Sequence, residues 1–181
     1  VKEPEPDEHA PYTDASRARM TVAMAAKELA DSARKFVPIH PGELSTTGGG
    51  GSAGADLEDA VRLVARAEEV LASLVVFKAI AGTTWEDIGS GLGMAKQNAH
   101  KKFRDHVDRF REDLAEPEVR DTSGQLYLRL ASAAADPDFW APILDAWVQR
   151  CREPGDVIPA DRPVSGGLAR LHPQMELTRL W

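Results

Sequence analysis

An all-α fold is predicted by three features of the sequence. Apolar residues recur at three- and four-residue spacing over several long stretches. The apolar complement leans to Ala, Leu and Val, with aromatics at only 6%, which favours helices over strands. Turn-forming residues gather into discrete breaks between those stretches. With 181 residues, 43% of them hydrophobic, the chain is long enough for one ordinary domain with extensions, or for two small ones.

The elements follow in order. Residues 1–13, "VKEPEPDEHAPYT", combine charge with proline and offer nothing to bury, so they read as a disordered acidic arm. Residues 14–37 read as a helix with Asp14 as N-cap and Pro38 just beyond its end. Its stripe is Ala23, Ala26, Ala30, Ala33 and Val37, with Met20 and Phe36 nearby, and such small residues permit close packing on another helix or a second subunit. Residues 38–55 contain "TTGGGGSAG" and read as a flexible linker that leaves the first helix tethered rather than rigidly placed. No Gly-Lys-Ser/Thr follows that glycine run and no strand precedes it, so it is not a phosphate-cradling loop.

Asp56 opens a long helix that Gly82 stops. Leu57, Val61, Val64, Leu71, Leu74 and Val75 make one apolar face, and Leu63, Val70, Phe77 and Ile80 another. A helix apolar on two sides is expected to be buried on two sides. Beyond a helical hairpin at 83–114, which Pro117 closes, "DTSGQLYLRLASAAA" and "DPDFWAPILDAWVQRC" read as two more helices. In the second, Phe139, Trp140, Ile143, Leu144, Trp147 and Val148 form a strongly apolar side. That side serves the core or a dimer interface, or lines a pocket for a small-molecule effector. Residues 152–167 are irregular, and a short amphipathic tail interrupted by Pro173 ends in Trp181.

Charge singles out one region. The chain carries a net −7, which argues against indiscriminate coating of nucleic acid. Yet Met94 to Arg111 holds Lys96, Lys101, Lys102, Arg104, Arg109 and Arg111 against Asp105 and Asp108, a net +4 that leaves −11 for the remainder. Any DNA-facing surface is therefore concentrated here.

This region begins "TTWEDIGSGLGMAKQNAHKKFR", residues 83–104. A first helix starts near Thr83 or Thr84, where Thr83 with Glu86 fits a capping box and Asp87 adds favourable charge to the first turn. Trp85, Ile88 and Leu92 face inward at helical spacing. Gly89 stands where a side chain would hold two helices apart, and Gly93 follows where the turn needs a left-handed backbone, whereas Gly91 has no such reason. Met94 packs beneath the turn. A second helix from Lys96 directs Ala99 and Phe103 inward and presents Lys96, Gln97, His100, Lys101 and Arg104 outward. That mix suits groove recognition: Gln can bond an adenine edge in pairs, Lys and Arg a guanine edge, and outer cations hold phosphates.

Over Thr84 to about Arg104 the segment resembles the helix-turn-helix of bacterial transcriptional regulators, a variety in which "TW-x-x-IG-x-x-LG" precedes a "Q-x-A-H-K-x-F"-like recognition helix. The residues that carry the resemblance are Trp85, Ile88, Gly89, Leu92, Gly93, Gln97, Ala99, His100, Lys101 and Phe103. It implies sequence-specific binding to double-stranded DNA with the second helix in the major groove. Lys96, Gln97, His100 and Lys101 are then expected on bases, and Asn98, Lys102 and Arg104 on phosphates. Ala95 departs from the pattern, which has a capping Ser there, and Asn98 replaces a typical Ala. The fold expected is a helix-turn-helix DNA-binding core at 56–116, with long flanking helices and a C-terminal helical extension at 117–181. One recognition helix reads few base pairs, so a homodimer on a palindromic site is expected.

Other chemistry has little support. His9, His40, His100, His106 and His172 are scattered without metal-ligand spacing, and no nucleophile turn accompanies the serines, so no metal, cofactor or catalytic residue is expected. Cys151 is the single cysteine and reads as a structural thiol. The acidic N-terminus and the lack of a long apolar run suggest a cytoplasmic protein. The rival reading is a protein-interaction adaptor or inhibitor that uses a helix-turn-helix-like fold for docking, suggested by the net acidity and the two-sided helix at 56–81.

Overall fold

Thr13, not Asp14, opens the first helix of the computed structural model, which describes residues 11–39, 53–158 and 161–171. Those residues form six α-helices and one small two-stranded antiparallel sheet. The acidic arm up to residue 10, the glycine run within 40–52, the tail from residue 172 to Trp181, and His9 and His40 lie outside the described residues. None of the described helices is long and apolar enough to cross a membrane.

Helix α1 (Asp14–Ala33) starts where the Thr13 hydroxyl accepts the Ser16 N–H at 3.1 Å, with Asp14 in the first turn. A short 3-10 turn, Arg34–Phe36, extends it. The expected alanine stripe is not the buried one: Ala26 is exposed, and Ser16, Ala18, Met20, Val22 and Ala25 are buried. The reason is that α1 is covered from two directions. Ala18 packs with Val76 and Val107, and Met20 packs with Ala133, Ala141 and Leu144. Nor is α1 merely tethered. Buried Ser16 donates to the Ala169 carbonyl at 3.0 Å and accepts the Ala169 N–H at 2.8 Å, which ties the helix start to the C-terminal region.

Helix α2 (Ala53–Ile80) ends in a paired turn: the Gly82 N–H reaches the Ala79 carbonyl and the Thr83 N–H the Lys78 carbonyl, with Gly82 at φ +89°. Val75 and Val76 are buried, and Phe77 and Ile80 pack against the cluster of Ala18, Val76 and Val107. The expectation of burial on two full faces fails along Leu57, Val61, Val64, Leu71 and Leu74, which stay exposed because α1 and the later helices reach other sides of α2. Helices α3 (Trp85–Gly91) and α4 (Lys96–Ala115) follow.

Residues 121–135 are not one helix. Strands β1 (Glu118–Arg120) and β2 (Leu126–Leu128) pair with Glu118 opposite Leu128 and Arg120 opposite Leu126. The Asp121 carboxylate makes the turn, accepting the Ser123 hydroxyl and the Ser123 and Gln125 N–H groups, while Gly124 takes φ +85°. Those bonds, the Ser123 hydroxyl first, hold the Asp121 carboxyl below its usual range. Only Ser132–Ala135 is helical, as α5.

Helix α6 (Pro137–Cys151) is capped by Asp136, whose side chain accepts the Phe139 N–H. It buries Ala141 and Leu144 against α1, with Trp140 partly covered and Phe139 and Ile143 exposed. Carboxylates pin this side of the molecule. Asp31 accepts from Lys27 at 2.8 Å and from the Trp147 indole at 3.1 Å, and these bonds lower its pKa. Asp138 receives the Tyr12 hydroxyl and Arg170, each at 2.6 Å, and the Tyr12 bond leads in lowering its pKa.

Candidate nucleic-acid interface

The hairpin of α3 and α4 is seated by a small core of Val75, Ile88, Ala99 and Phe103, with Trp85, Leu92 and Met94 packed around it. Its first helix is capped by Thr84 rather than Thr83: the Thr84 hydroxyl accepts the Asp87 N–H and donates to the Asp87 carboxylate at 2.7 Å. The cap and its acidic partner thus sit one residue later than the Thr83–Glu86 pairing expected from the sequence.

The turn Leu92–Ala95 depends on its glycines. The Gly93 N–H bonds the Ser90 carbonyl at 3.1 Å and the Met94 N–H bonds the Gly89 carbonyl at 2.9 Å, with Gly93 at φ +66°. This folds the chain back so closely that a Cβ on Gly89 would stand 2.8 Å from the Met94 carbonyl oxygen and 3.1 Å from the Lys96 nitrogen. A Cβ on Gly91 would meet nothing within 4 Å. Gly89 therefore sets how near α4 starts to α3.

Helix α4 buries Ala99, Phe103 and Val107 along one side. At 3.6 residues per turn this leaves Gln97, Asn98 and Lys101 on the opposite side near its start, all exposed, with exposed Lys96 at the first helical position. Ala95 adopts N-cap geometry, φ −64° and ψ 145°, but makes no side-chain cap. The first turn therefore lacks a side-chain acceptor for its N–H groups.

The remaining predicted residues are placed differently. His100 is half-buried, its ring edge-on to Trp85 with centroids 5.0 Å apart. Lys102 lies on the flank, its ammonium 5.2 Å from the Phe103 ring centroid. Together with His106 and Arg109 it lines a cleft of about 640 Å³ between α1, α2 and α4, whose other wall includes Glu68 and Glu69. Arg104 is exposed but lies 3.6 Å from both Asp105 and Asp108, and Asp108 also lies 3.6 Å from Arg111. In the sequence these carboxylates count only against the net charge of the region. The i, i+4 and i, i+3 spacing of Asp108 from Arg104 and Arg111 is the signal that it pairs with both.

The start of α4 is consequently where uncommitted polar groups gather, and its later turns neutralise part of their own charge. Beside Trp147 an open groove of about 850 Å³ is lined by Lys27, Asp31, Arg34, Arg150 and Glu153, a charged rather than apolar setting. Among the described residues no three His, Cys, Asp or Glu side chains converge as metal ligands do. No protein-family model, curated protein or solved structure matches the chain.

Proposed function

We propose that the protein is a transcriptional regulator that reads double-stranded DNA in sequence-specific fashion, as a homodimer, with α3 and α4 acting as a helix-turn-helix. The observation that carries this reading is the exposed set Lys96, Gln97, Asn98 and Lys101 at the start of a helix whose opposite side is locked into a core by Ala99 and Phe103. A major groove about 12 Å wide admits one helix. Gln97 can offer paired hydrogen bonds to an adenine edge and Lys101 a donor to guanine, while Lys96 and the uncapped first-turn N–H groups suit a phosphate. Asn98 reaches either. In this reading His100 acts through its contact with Trp85, positioning α4, and Lys102 and Arg104 serve the flanking backbone.

The test is selection of bound duplexes from a random library, followed by variants on the selected operator. Gln97→Ala is expected to relax discrimination at one base pair by about 1–3 kcal/mol. Lys96→Ala is expected to weaken all duplexes alike and to reduce the salt slope by about 1. If the folded protein enriches no motif, or if Gln97→Ala and Lys101→Ala leave affinity and preference unchanged, the reading is wrong. The exposed apolar face of α2 favours a second reading, an adaptor that docks on a protein, which predicts no specific duplex binding at any salt concentration.

A further inference from the structure

We propose that the bare face of α2 is a homodimer interface in which two copies of α2 pack antiparallel and cross at Ala67. Leu57, Val61 and Val64 are 69%, 70% and 62% exposed, and Leu71 and Leu74 are 37% and 39% exposed. Scattered exposed aliphatics are ordinary, but these five share one side of one helix over about 26 Å at 1.5 Å per residue. Ala60 and Ala67 fall on the same side, so a second helix can approach closely there. α1 packs at Val76, Phe77 and Ile80 and the hairpin at Val75 and Val76, so the strip is bare from Leu57 to Val64 and is edged at Leu71, which lines the cleft between α1, α2 and α4.

Charge identifies the occupant and its direction. Asp56 and Lys78 lie on this same side of α2, toward its two ends, about 33 Å apart along the helix. Turned about a two-fold axis at Ala67, the second copy sets its Lys78 against Asp56 and its Asp56 against Lys78. The same rotation brings Leu74 of one copy over Ala60 of the other and Val64 near Leu71, large residues meeting small or mid-sized ones, while the two Ala67 residues face each other. A parallel arrangement would instead set Asp56 on Asp56 and Lys78 on Lys78. The strip is thus complementary to itself at its two ends, while Glu68, one residue from the axis, lies near its own copy on the flank of the crossing. The inference deepens the proposed DNA reading by naming how the second reading helix is supplied, and it rests on that reading only for this use.

The test needs no DNA, so its failure and the failure of DNA reading are separable. Light scattering of the whole protein over a range of concentrations is expected to give twice the 19.7 kDa chain mass. Val61→Glu with Val64→Glu should return the single-chain mass with an unchanged helical signal, since both positions are exposed. Asp56→Lys alone and Lys78→Glu alone should each weaken association several-fold, and the two together should restore it. In a Cys151→Ser background, Ala67→Cys should cross-link under mild oxidation, whereas Ala26→Cys, exposed on α1, should not. A single-chain mass at every concentration overturns the proposal and leaves the strip to another occupant. A dimer indifferent to the Val61 and Val64 changes, or weakened by both single charge changes without rescue, overturns it equally.

Discussion

Two helices each leave one side bare, and the two sides differ in what water does to them. The free side of α4 carries Gln97, Asn98 and Lys101, groups that water solvates well. The free side of α2 carries Leu57, Val61 and Val64, which gain by leaving water. Exposure alone does not separate these surfaces, but chemistry does. The first suits a charged, hydrated partner and should lose it as salt rises; the second suits an apolar one and should keep it. The two also depend on different supports, because α4 is placed by a glycine-tight turn and α2 chiefly by its packing on α1.

Gly89→Ala should separate the surfaces most sharply. The new Cβ would meet backbone at 2.8 Å, so α4 must move away from α3 at a cost of about 1–3 kcal/mol. A thermal melt should register the loss and duplex binding should fall with it, while the dimer mass stays unchanged because Leu57, Val61 and Val64 lie turns away from Val75, where α2 meets the hairpin core. Gly91→Ala, with open space around its Cβ, should instead stabilise the fold by up to about 1 kcal/mol. Equal melting of the two variants would show that the turn does not place α4. A smaller effect of opposite sign to the first is expected from Ala95→Ser. A serine at this extended N-cap position should stabilise α4 by about 1 kcal/mol, read as a raised melting temperature. No change would mean that the first-turn N–H groups gain nothing from a side-chain acceptor.

The hairpin was the most legible part of the chain because its determinants are local. Ile88, Gly89, Gly93, Ala99 and Phe103 all lie in one hairpin and act mainly across its single turn, so residue type with spacing suffices to place them. Legibility fell where distant contacts decide. The alanine stripe of α1 pointed to Ala26, yet the chain buries Met20 and Ala18 because two separate helical groups close on α1. The apolar faces of α2 were both visible, but which one the fold would cover depends on where α1 and α4 arrive. At 121–128 the deciding signals are local instead: "DTSGQ" is an aspartate turn with a glycine at positive φ, and "QLYL" alternates, so turn and strand chemistry outweighs the helical expectation there. At the candidate interface the exposed set at the start of α4 was visible from spacing. The commitment of Arg104 to two carboxylates and of His100 to Trp85 was not drawn from it.

That commitment leads to the smallest expected effect. Arg104 and Arg111 share Asp108, with both arginine contacts at 3.6 Å and all three side chains largely exposed. Such pairs contribute only about 0–1 kcal/mol to the fold, so Asp108→Asn should scarcely alter the melting temperature. Its effect on duplex binding should be the larger one. Removing a negative charge from the flank of α4 reduces repulsion of phosphate, frees the Arg111 guanidinium to bond it and leaves Arg104 with Asp105 alone. Duplex affinity should rise several-fold at low salt, alike for operator and unrelated sequences, and the gain should shrink as salt is added. Binding titrations at two salt concentrations check this. Unchanged affinity would place the later turns of α4 away from the DNA and confine recognition to its first two turns.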